Sequence, residues 1–160
     1  MPAISINHVS IGARDIEASV RFYEEVFGLE RIPTYNFGFK TQYLRCGQLQ
    51  VHVFELEDTV PRYQHFALTV DDFDAAYSAA KERNALDHKT FFNAIYELPD
   101  GAVQMYLRDP AGNLVEVNWP DVTTLERSRY PEMKRLADRV PQTGEALRAT
   151  LFLGRRGQNV

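Results

Sequence analysis

Two histidines and one glutamate are the residues of this sequence best suited to bind a metal ion. His8 and His65 each lie in an apolar, β-branched run, and Glu116 lies between Val115 and Val117 in a later run. Side chains alternate between the two faces of a strand, so Glu116 lies opposite the valines, where a buried carboxylate needs a partner. Two imidazoles and one carboxylate with open coordination positions suit Fe(II) or Mn(II) and are usable by Zn(II).

An internal repeat explains how three residues so far apart in the sequence are expected to meet. A shift of 57 positions aligns a set of residues: His8 with His65, Asp15 with Asp72, Ile16 with Phe73 and Leu29 with Leu86. Such self-similarity indicates one supersecondary unit present twice. Each histidine alone is compatible with a satisfied core residue, and Glu116 alone with a salt-bridged edge residue. Their coincidence at repeat-equivalent positions favours the metal site.

Each copy of the repeat has the pattern of a β-α-β-β-β unit. In the first copy a strand over Ile4–Ile11 precedes an amphipathic helix, which Asp15 caps at its start and Gly28 ends. In the second copy the helix is capped by Asp71 or Asp72. The unit therefore contains one helix that can cover one face of a small sheet.

The predicted fold class is α+β, with two tandem βαβββ modules that form a shared open barrel-like cleft. Residues 1–120 are expected to form one domain, with module one at about 4–58 and module two at about 62–120. Residues 121–160 are predicted to form a C-terminal helical extension and tail, including a helix from Pro131 to about Val140.

Tyr106 and Ser10 are candidates to act beside the metal. Tyr106 lies ten residues before Glu116, on the neighbouring strand across an Asp-Pro-Ala-Gly turn. A phenol in this position can donate a hydrogen bond to a metal-bound oxygen, although a half-buried strand tyrosine would look the same. Ser10 follows His8 by two residues and is expected to line the same face, where it can contact substrate.

His52 is the remaining candidate for acid/base chemistry. It is out of phase with Val51 and Val53, so strict alternation points it away from the presumed site unless a bulge reverses the strand. When the two copies are aligned through their glycines, Val51 takes the position of Glu116. Valine cannot bind a metal, so the sequence predicts an open site with three protein ligands.

Composition excludes several other classes of protein. The net charge of −4 and a pI near 5.6 argue against a nucleic-acid groove as the main function. The single Cys46 cannot form an intramolecular disulfide, which fits a reducing cytoplasm. No long apolar run or leader indicates a membrane, so a cytoplasmic location is expected. The apolar segment Ala146–Leu153 favours a homodimer, although it can equally fold back on its own chain.

These residues together resemble the vicinal oxygen chelate superfamily, which includes glyoxalase I, methylmalonyl-CoA epimerase, fosfomycin-resistance thiol transferases, bleomycin-binding proteins and extradiol dioxygenases. The resemblance rests on the doubled unit, on Asn-His-Val at His8, on Gln-His-Phe at His65 and on the run from Tyr106 to Glu116. It covers about Ile4 to Trp119. It implies that the two histidines and the glutamate bind a divalent metal and that the substrate is a small molecule.

Within the superfamily, the run from Tyr106 to Glu116 fits half of the extradiol dioxygenase signature. The resemblance implies a substrate-binding role for Asp100 and an acid/base role for His52, with Fe(II) first among the metals and Mn(II) or Zn(II) as alternatives. Glu97 replaces a histidine that this branch is expected to have. The predicted function is therefore a ring-cleaving dioxygenase that acts on a vicinal diol.

Other branches of the superfamily remain as alternatives. A metal-dependent lyase, isomerase or thiol transferase would use the same fold, and a drug-binding protein similar to the bleomycin-binding branch would use it without catalysis. Val51 disfavours the glyoxalases and epimerases, and the three candidate ligands disfavour the bleomycin-binding branch. The lysine and serines of the fosfomycin phosphonate pocket are replaced, in order, by Tyr96, Asp100 and Gln104.

Overall fold

The structure is a computed structural model that describes residues 7–36, 38–56 and 61–152. The strands and α-helices in these ranges follow in this order: β1 (His8–Ala13), α1 (Ile16–Phe27), β2 (Glu30–Ile32), β3 (Thr41–Cys46), β4 (Leu49–Glu55), β5 (His65–Thr69), α2 (Phe73–Glu82), β6 (Ile95–Glu97), β7 (Val103–Arg108), β8 (Leu114–Trp119), β9 (Met133–Arg135) and α3 (Leu136–Arg139). Short 3-10 helices cover Val122–Thr124, Arg127–Arg129 and Gly144–Leu147. The predicted α+β class is confirmed.

Helix α1 starts and stops through the residues that the sequence indicates. The Asp15 side chain accepts a hydrogen bond of 3.0 Å from the Ala18 N–H, which satisfies an amide that the helix start leaves free. Gly28 follows the helix at φ 63°, a left-handed conformation that glycine adopts at little cost. Asp72 caps α2 in the same way, through the Ala75 N–H. The two helices therefore begin at repeat-equivalent positions.

The strands form two open sheets over the described residues. The first has the order β1-β4-β3-β2, and the second has the order β5-β8-β7-β6-β9. In each sheet the first strand of the unit pairs in parallel with the last strand, β1 with β4 and β5 with β8. β1 and β5 are therefore edge strands, and each carries one of the candidate histidines.

Each sheet buries one face against the helices and leaves the other face for the site. Val51 and Val53 of β4 and Val115 and Val117 of β8 are at most 2% exposed and lie in one core with residues of α1 and α2. Burial of each such side chain contributes on the order of 1.5–3 kcal/mol. Since side chains alternate along a strand, the residues between these valines point to the opposite face. We call that opposite surface of each sheet its open face.

The residues after β8 add a strand to the second sheet. β9 pairs in parallel with β6, and Met133 lies opposite Ile95 and is buried in the core. The sequence predicted a helix over Pro131–Val140, whereas α3 begins only at Leu136. An edge strand such as β6 offers unpaired N–H and C=O groups, and pairing with them together with burial of Met133 outweighs a weak local helix preference.

Some predicted features lie outside the described residues: the start of the first strand, residues 4–6, and the end of the tail, residues 153–160. The division of the chain into domains stays a prediction. In the ranges that the structure describes, no helix is long and apolar enough to cross a membrane.

Candidate metal centre

His65 and Glu116 lie together on the open face of the second sheet. β5 and β8 pair so that Ala67 lies beside Glu116, which puts His65 one pleat away on the same face. The distance from His65 Nε2 to Glu116 Oε2 is 3.4 Å. The glutamate is 4% exposed, whereas 33% of the His65 side chain is exposed. An imidazole nitrogen and a carboxylate oxygen at this separation can bind one ion, whose bonds to them are about 2.0–2.2 Å long.

The hydrogen bonds around this pair leave the two facing atoms available as ligands. His65 Nδ1 lies 2.8 Å from the Tyr63 carbonyl oxygen. A carbonyl can only accept, so Nδ1 donates and the lone pair resides on Nε2, the nitrogen that faces Glu116. The Gln104 amide donates a hydrogen bond of 2.9 Å to Glu116 Oε1, which leaves Oε2 directed toward His65. The donor set therefore fits a divalent metal.

Tyr106 lies directly opposite Glu116 in the pairing of β7 with β8. Its hydroxyl donates a hydrogen bond of 3.1 Å to the oxygen of the Gln104 side chain, so Tyr106, Gln104 and Glu116 form a chain of hydrogen bonds. Burial, and then the charge of Glu116, raise the pKa of the Tyr106 phenol well above its usual range. Tyr106 is therefore a neutral hydrogen-bond donor at physiological pH.

Aromatic rings border the pair. The Phe91 ring lies 4.6 Å from the Tyr106 ring and 5.8 Å from the His65 ring, measured between centroids. The Tyr63 ring lies 5.9 Å from Phe91 on the other side. These rings keep water from one side of the carboxylate, which strengthens electrostatic interactions there.

The first sheet carries a different group of rings on its open face. His52 is stacked between His8, at 4.1 Å between centroids, and Tyr43, at 3.6 Å. His8 Nδ1 lies 3.0 Å from the Asn7 side-chain oxygen, and His52 Nε2 lies 2.9 Å from the Gln50 side-chain oxygen. In His8 this arrangement leaves the Nε2 lone pair available, as in His65.

His52 lies on the open face beside His8, and the expectation that alternation turns it away was wrong. Val51 and Val53 point into the helix-packed core, so the residue between them points to the site face without any bulge. Burial, and then the charge of His8, lower the pKa of His52. His52 is therefore neutral at physiological pH, and its acid/base role stays a prediction.

The alignment of Val51 with Glu116 was also wrong, by one residue. In the second sheet Glu116 pairs with Ala67, two residues after His65. In the first sheet His52 pairs with Ser10, two residues after His8. The reason lies in how each turn glycine relates to the register. His65 pairs with Leu114, two residues after Gly112, whereas His8 pairs with Gln50, three residues after Gly47. His52 is thus the structural counterpart of Glu116.

The third predicted ligand does not join the other two within one chain. Among the described residues, no three His, Cys, Asp or Glu side chains converge so as to hold a metal. A cavity of about 340 Å³ lies between the edge strands β1 and β5, and both Ser10 and His65 line it. The Asn113 amide bridges the same gap, donating a hydrogen bond of 2.8 Å to the Gly12 carbonyl. Ser10 therefore lines the same cavity as His65, while His8 remains with the first sheet. We call His65 and Glu116 the metal pair, because their facing atoms could bind one ion.

Two acidic residues of the second unit lie away from the pair. Asp100 sits in the turn between β6 and β7, where one carboxylate oxygen accepts a hydrogen bond of 3.1 Å from the Ala102 N–H and the other is buried without a recorded partner. Glu97 forms ion pairs with Arg127 and Arg135 of the extension. Glu97 thus contacts the extension rather than the pair, and the substrate-binding role of Asp100 stays a prediction.

Sequence reasoning overlooked two site residues, Gln104 and Asn118. They pair with each other across β7 and β8 on the open face. Asn118 is 7% exposed, and its side-chain oxygen has no recorded hydrogen-bond partner. The alternation of side chains along a strand could have indicated both residues. Gln104 precedes Tyr106 by two positions and Asn118 follows Glu116 by two, so each lies on the same face as its neighbour.

Comparison with known proteins identifies the class to which this fold and site belong. A family model described as "Glyoxalase/Bleomycin resistance protein/Dioxygenase superfamily" matches residues 5–117. The chain therefore belongs to the glyoxalase/bleomycin resistance protein/dioxygenase superfamily, and the resemblance inferred from the sequence is confirmed. The extension that follows β8 lies beyond the matched residues.

Individual relatives include transferases. The uncharacterized protein YwbC of Bacillus subtilis (strain 168) is 33% identical over 121 residues, which are 69% of this chain and 94% of that protein. The glutathione transferase FosA of Serratia marcescens is 30% identical over 122 residues, which are 71% of this chain and 79% of that protein. The fosfomycin resistance protein FosX of Listeria monocytogenes, solved with Mn(II) and 1S,2S-dihydroxypropylphosphonic acid, has the same fold, with a TM-score of 0.62 at 15% identity over 76% of this chain and 96% of that chain.

Proposed function

We propose that this protein is a divalent-metal-dependent transferase that acts on a small substrate able to chelate the metal through two oxygen atoms. His65 and Glu116 would hold the metal, and His8 of a second copy of the chain would complete the site. The observation that carries the proposal is the 3.4 Å separation of His65 Nε2 from Glu116 Oε2, with the lone pair of the imidazole directed at the carboxylate. A cytoplasmic location remains a prediction beside this function.

A second copy is the simplest source of the third ligand. Over the described residues, His8 does not join His65 and Glu116. His8 lies on the open face of the first sheet and is exposed, and its Nε2 is left available by the hydrogen bond at Nδ1. The open face of the first sheet in one copy would pack on the open face of the second sheet in another copy. This contact would bring His8 of one copy to His65 and Glu116 of the other. A twofold pair would contain two such sites, because the arrangement is symmetric.

The residues around the metal pair have separate tasks in this proposal. A divalent metal would polarise the chelated substrate oxygens as a Lewis acid. The Tyr106 phenol, which stays protonated, would donate a hydrogen bond to a substrate oxygen. Gln104 would hold the Glu116 carboxylate in its ligating orientation, and the Tyr63 carbonyl would do the same for His65. Phe91 would exclude water from this side of the substrate.

The transferase class is favoured by the relatives, since FosA is named a glutathione transferase and is 30% identical to this chain. Fosfomycin itself is not proposed as the substrate. The positions that carry the lysine and serines of the phosphonate pocket in that branch hold Tyr96, Asp100 and Gln104. Tyrosine and glutamine are uncharged and aspartate is an acid, so none of these three residues offers a cation to a phosphonate. Tyr96 is also buried, and the Gln104 amide donates a hydrogen bond to Glu116.

The extradiol dioxygenase is a second candidate, with Fe(II) as its metal. It is favoured by one observation, the position of His52 on the open face beside His8, where a neutral imidazole can accept a proton. The ion pairs of Glu97 with the extension speak against it, because that position is expected to supply a histidine to the substrate. Both candidates use His65 and Glu116 as metal ligands.

The test begins with protein purified without chelators. Its metal content is measured, and Mn(II) binding is followed by electron paramagnetic resonance for the wild type, His65→Ala, Glu116→Gln and the control His88→Ala, which alters an exposed loop histidine. We expect the first two variants to lose at least about a hundredfold in Mn(II) affinity and the control to match the wild type. Unchanged affinity in both site variants would overturn the assignment.

The reaction class is then separated by two assays on the metal-loaded protein. Loss of glutathione in the presence of a panel of small epoxides reports a transferase. Oxygen uptake with a panel of catechols after anaerobic loading with Fe(II) reports a dioxygenase. We expect thiol loss that depends on Glu116; oxygen uptake without thiol loss would replace the transferase by the second candidate.

A further inference from the structure

The extension contributes a strand to the very sheet that carries the metal pair. Register aligns four residues across it: Asn118 of β8, Gln104 of β7, Tyr96 of β6 and Lys134 of β9. Residues aligned in this way lie on one face, and Gln104 identifies that face as the open one because its amide contacts Glu116. Lys134 therefore lies at the far end of a row that begins beside the metal pair.

Helix α3 brings a second cation to the same end of the row. Arg139 donates a hydrogen bond of 3.0 Å from Nη1 to the Phe91 carbonyl, and the same nitrogen lies 3.5 Å from the Tyr96 hydroxyl. Its guanidinium carbon lies 3.9 Å from the centroid of the Phe92 ring. This cation–π contact helps to position the guanidinium, whose Nε and Nη2 have no recorded partner among the described residues. Such an edge can bind a carboxylate or phosphate with two parallel hydrogen bonds.

Most of the described cations of the extension are paired with acids. Four of its described arginines pair with acids: Arg127 and Arg135 with Glu97, Arg129 with Asp74, and Arg148 with Glu145. Within the part of the chain that the structure describes, Lys134 and Arg139 are recorded in no ion pair. These two cations lie at the Tyr96 end of the row. Leu136 packs at the same end, against the apolar cluster that contains Tyr96 and Tyr106.

The row also contains a buried hydrogen-bond acceptor without a recorded partner. This acceptor is the side-chain oxygen of Asn118, a residue that is 7% exposed. A buried acceptor without a partner is costly, so a donor from a bound molecule would relieve it. Asn118 lies two residues beyond Glu116 and on the same face, at the β8 end of the row, whereas Lys134 lies at the β9 end.

From this geometry we infer that the substrate carries an anionic group, a carboxylate or a phosphate, at the end remote from its metal-chelating oxygens, and that Lys134 and Arg139 bind this group. The inference rests on the proposed metal site and adds the substrate class to it. The strands of a sheet are about 4.8 Å apart, so β8 and β9 are separated by roughly 14 Å, and long side chains reduce the span that the substrate must bridge. A spacer of a few carbon atoms fits this distance.

The test uses hydroxamates, which chelate metals through two oxygens, as probes of the Mn(II)-loaded protein. Monohydroxamates of succinic, glutaric and adipic acids are compared with alkyl hydroxamates of the same chain length that lack the carboxylate. Affinities are measured by calorimetry for the wild type, Lys134→Gln, Arg139→Gln and the matched control Arg135→Gln, which removes one charge from the opposite face of the same strand. Mn(II) affinity is measured for each variant as a check on the metal site.

We expect the wild type to bind at least one carboxylate probe about tenfold more tightly than its uncharged partner. Lys134→Gln and Arg139→Gln should lose this preference while keeping Mn(II) affinity and affinity for the uncharged probe, and Arg135→Gln should keep all three. Equal affinity of the wild type for both members of every pair would overturn the anion site and leave the metal site standing. Absence of Mn(II) binding by the wild type would instead overturn the proposed function, and the anion site with it.

Discussion

His52 and Glu116 occupy matching positions in the two sheets. Glu116 pairs with Ala67, which follows the histidine of β5 by two residues, and His52 pairs with Ser10, which follows the histidine of β1 by two. The two units thus present a histidine and a second polar residue in the same arrangement. In the second unit that residue is a carboxylate 3.4 Å from the His65 imidazole, and in the first it is a neutral imidazole stacked on His8.

His52 is expected to position His8 through this stack. His52→Ala would remove the ring between His8 and Tyr43 and should weaken Mn(II) binding about tenfold, since groups that orient a ligand typically contribute 10–100-fold. His52→Phe keeps an aromatic ring and should retain wild-type affinity within about twofold. Mn(II) titration followed by electron paramagnetic resonance measures both. Equal losses in the two variants would mean that the imidazole nitrogens of His52, rather than the stack, matter for binding.

The shared metal site predicts complementation between two defective variants. His8→Ala and Glu116→Ala should each bind Mn(II) poorly. Mixed dimers formed by unfolding and refolding the two together should contain one site with both changes and one site with neither. About a quarter of the sites in a statistical mixture should then regain wild-type affinity, as expected for a twofold pair with shared sites. No recovery in mixtures proven to contain the mixed dimer would place all three ligands within one chain.

Asp87 is expected to stabilise the fold in a pH-dependent way. Burial alone would raise its pKa, but hydrogen bonds from Thr90 and Lys89 and from the Arg108 guanidinium outweigh burial and hold the pKa at about 2. A lowered pKa in the folded state gives stability that is present above the unfolded value and is lost as the pH falls through the folded value. The contribution should therefore be complete above about pH 5 and should disappear toward about pH 2.

Asp87→Asn tests this dependence. Its free energy of unfolding at pH 7, measured with urea, should be lower than that of the wild type by about 2 kcal/mol. The difference should shrink between about pH 4 and pH 2. Asp138→Asn, which alters an exposed acid of α3, is the control and should show no such difference. A gap between wild type and Asp87→Asn that stays constant down to pH 2 would contradict the assignment.

The extension is expected to be held by its buried side chains more than by its ion pairs. Met133 is 7% exposed and packs in the core, so Met133→Ala should lower the free energy of unfolding by about 2–3 kcal/mol. Glu97→Gln removes the partner of Arg127 and Arg135, whose side chains are 45% and 61% exposed, and should cost less than about 1 kcal/mol. Thermal unfolding of the two variants gives the comparison, and the reverse order would assign the anchoring to the ion pairs.

Much of this protein follows from local rules that the sequence states directly. Asp15 and Gly28 mark the ends of α1 because capping and left-handed glycine depend on a few neighbouring residues. Alternation alone places Glu116 opposite Val115 and Val117, and the repeat makes His8 and His65 equivalent. For these reasons the family and the α+β class could be predicted before the structure was known.

Tertiary structure decided what local rules leave open. Register is set by how two distant strands meet. The residue that pairs with the histidine follows the turn glycine by three positions in β4 and by two in β8, which made His52, not Val51, the counterpart of Glu116. Met133 adopts a strand because an edge of the sheet was available to it, which no local preference reveals. The separation of His8 from His65 and Glu116 depends on how whole sheets are arranged. A sequence indicates candidate ligands, but only the packing of sheets determines which of them one chain brings together.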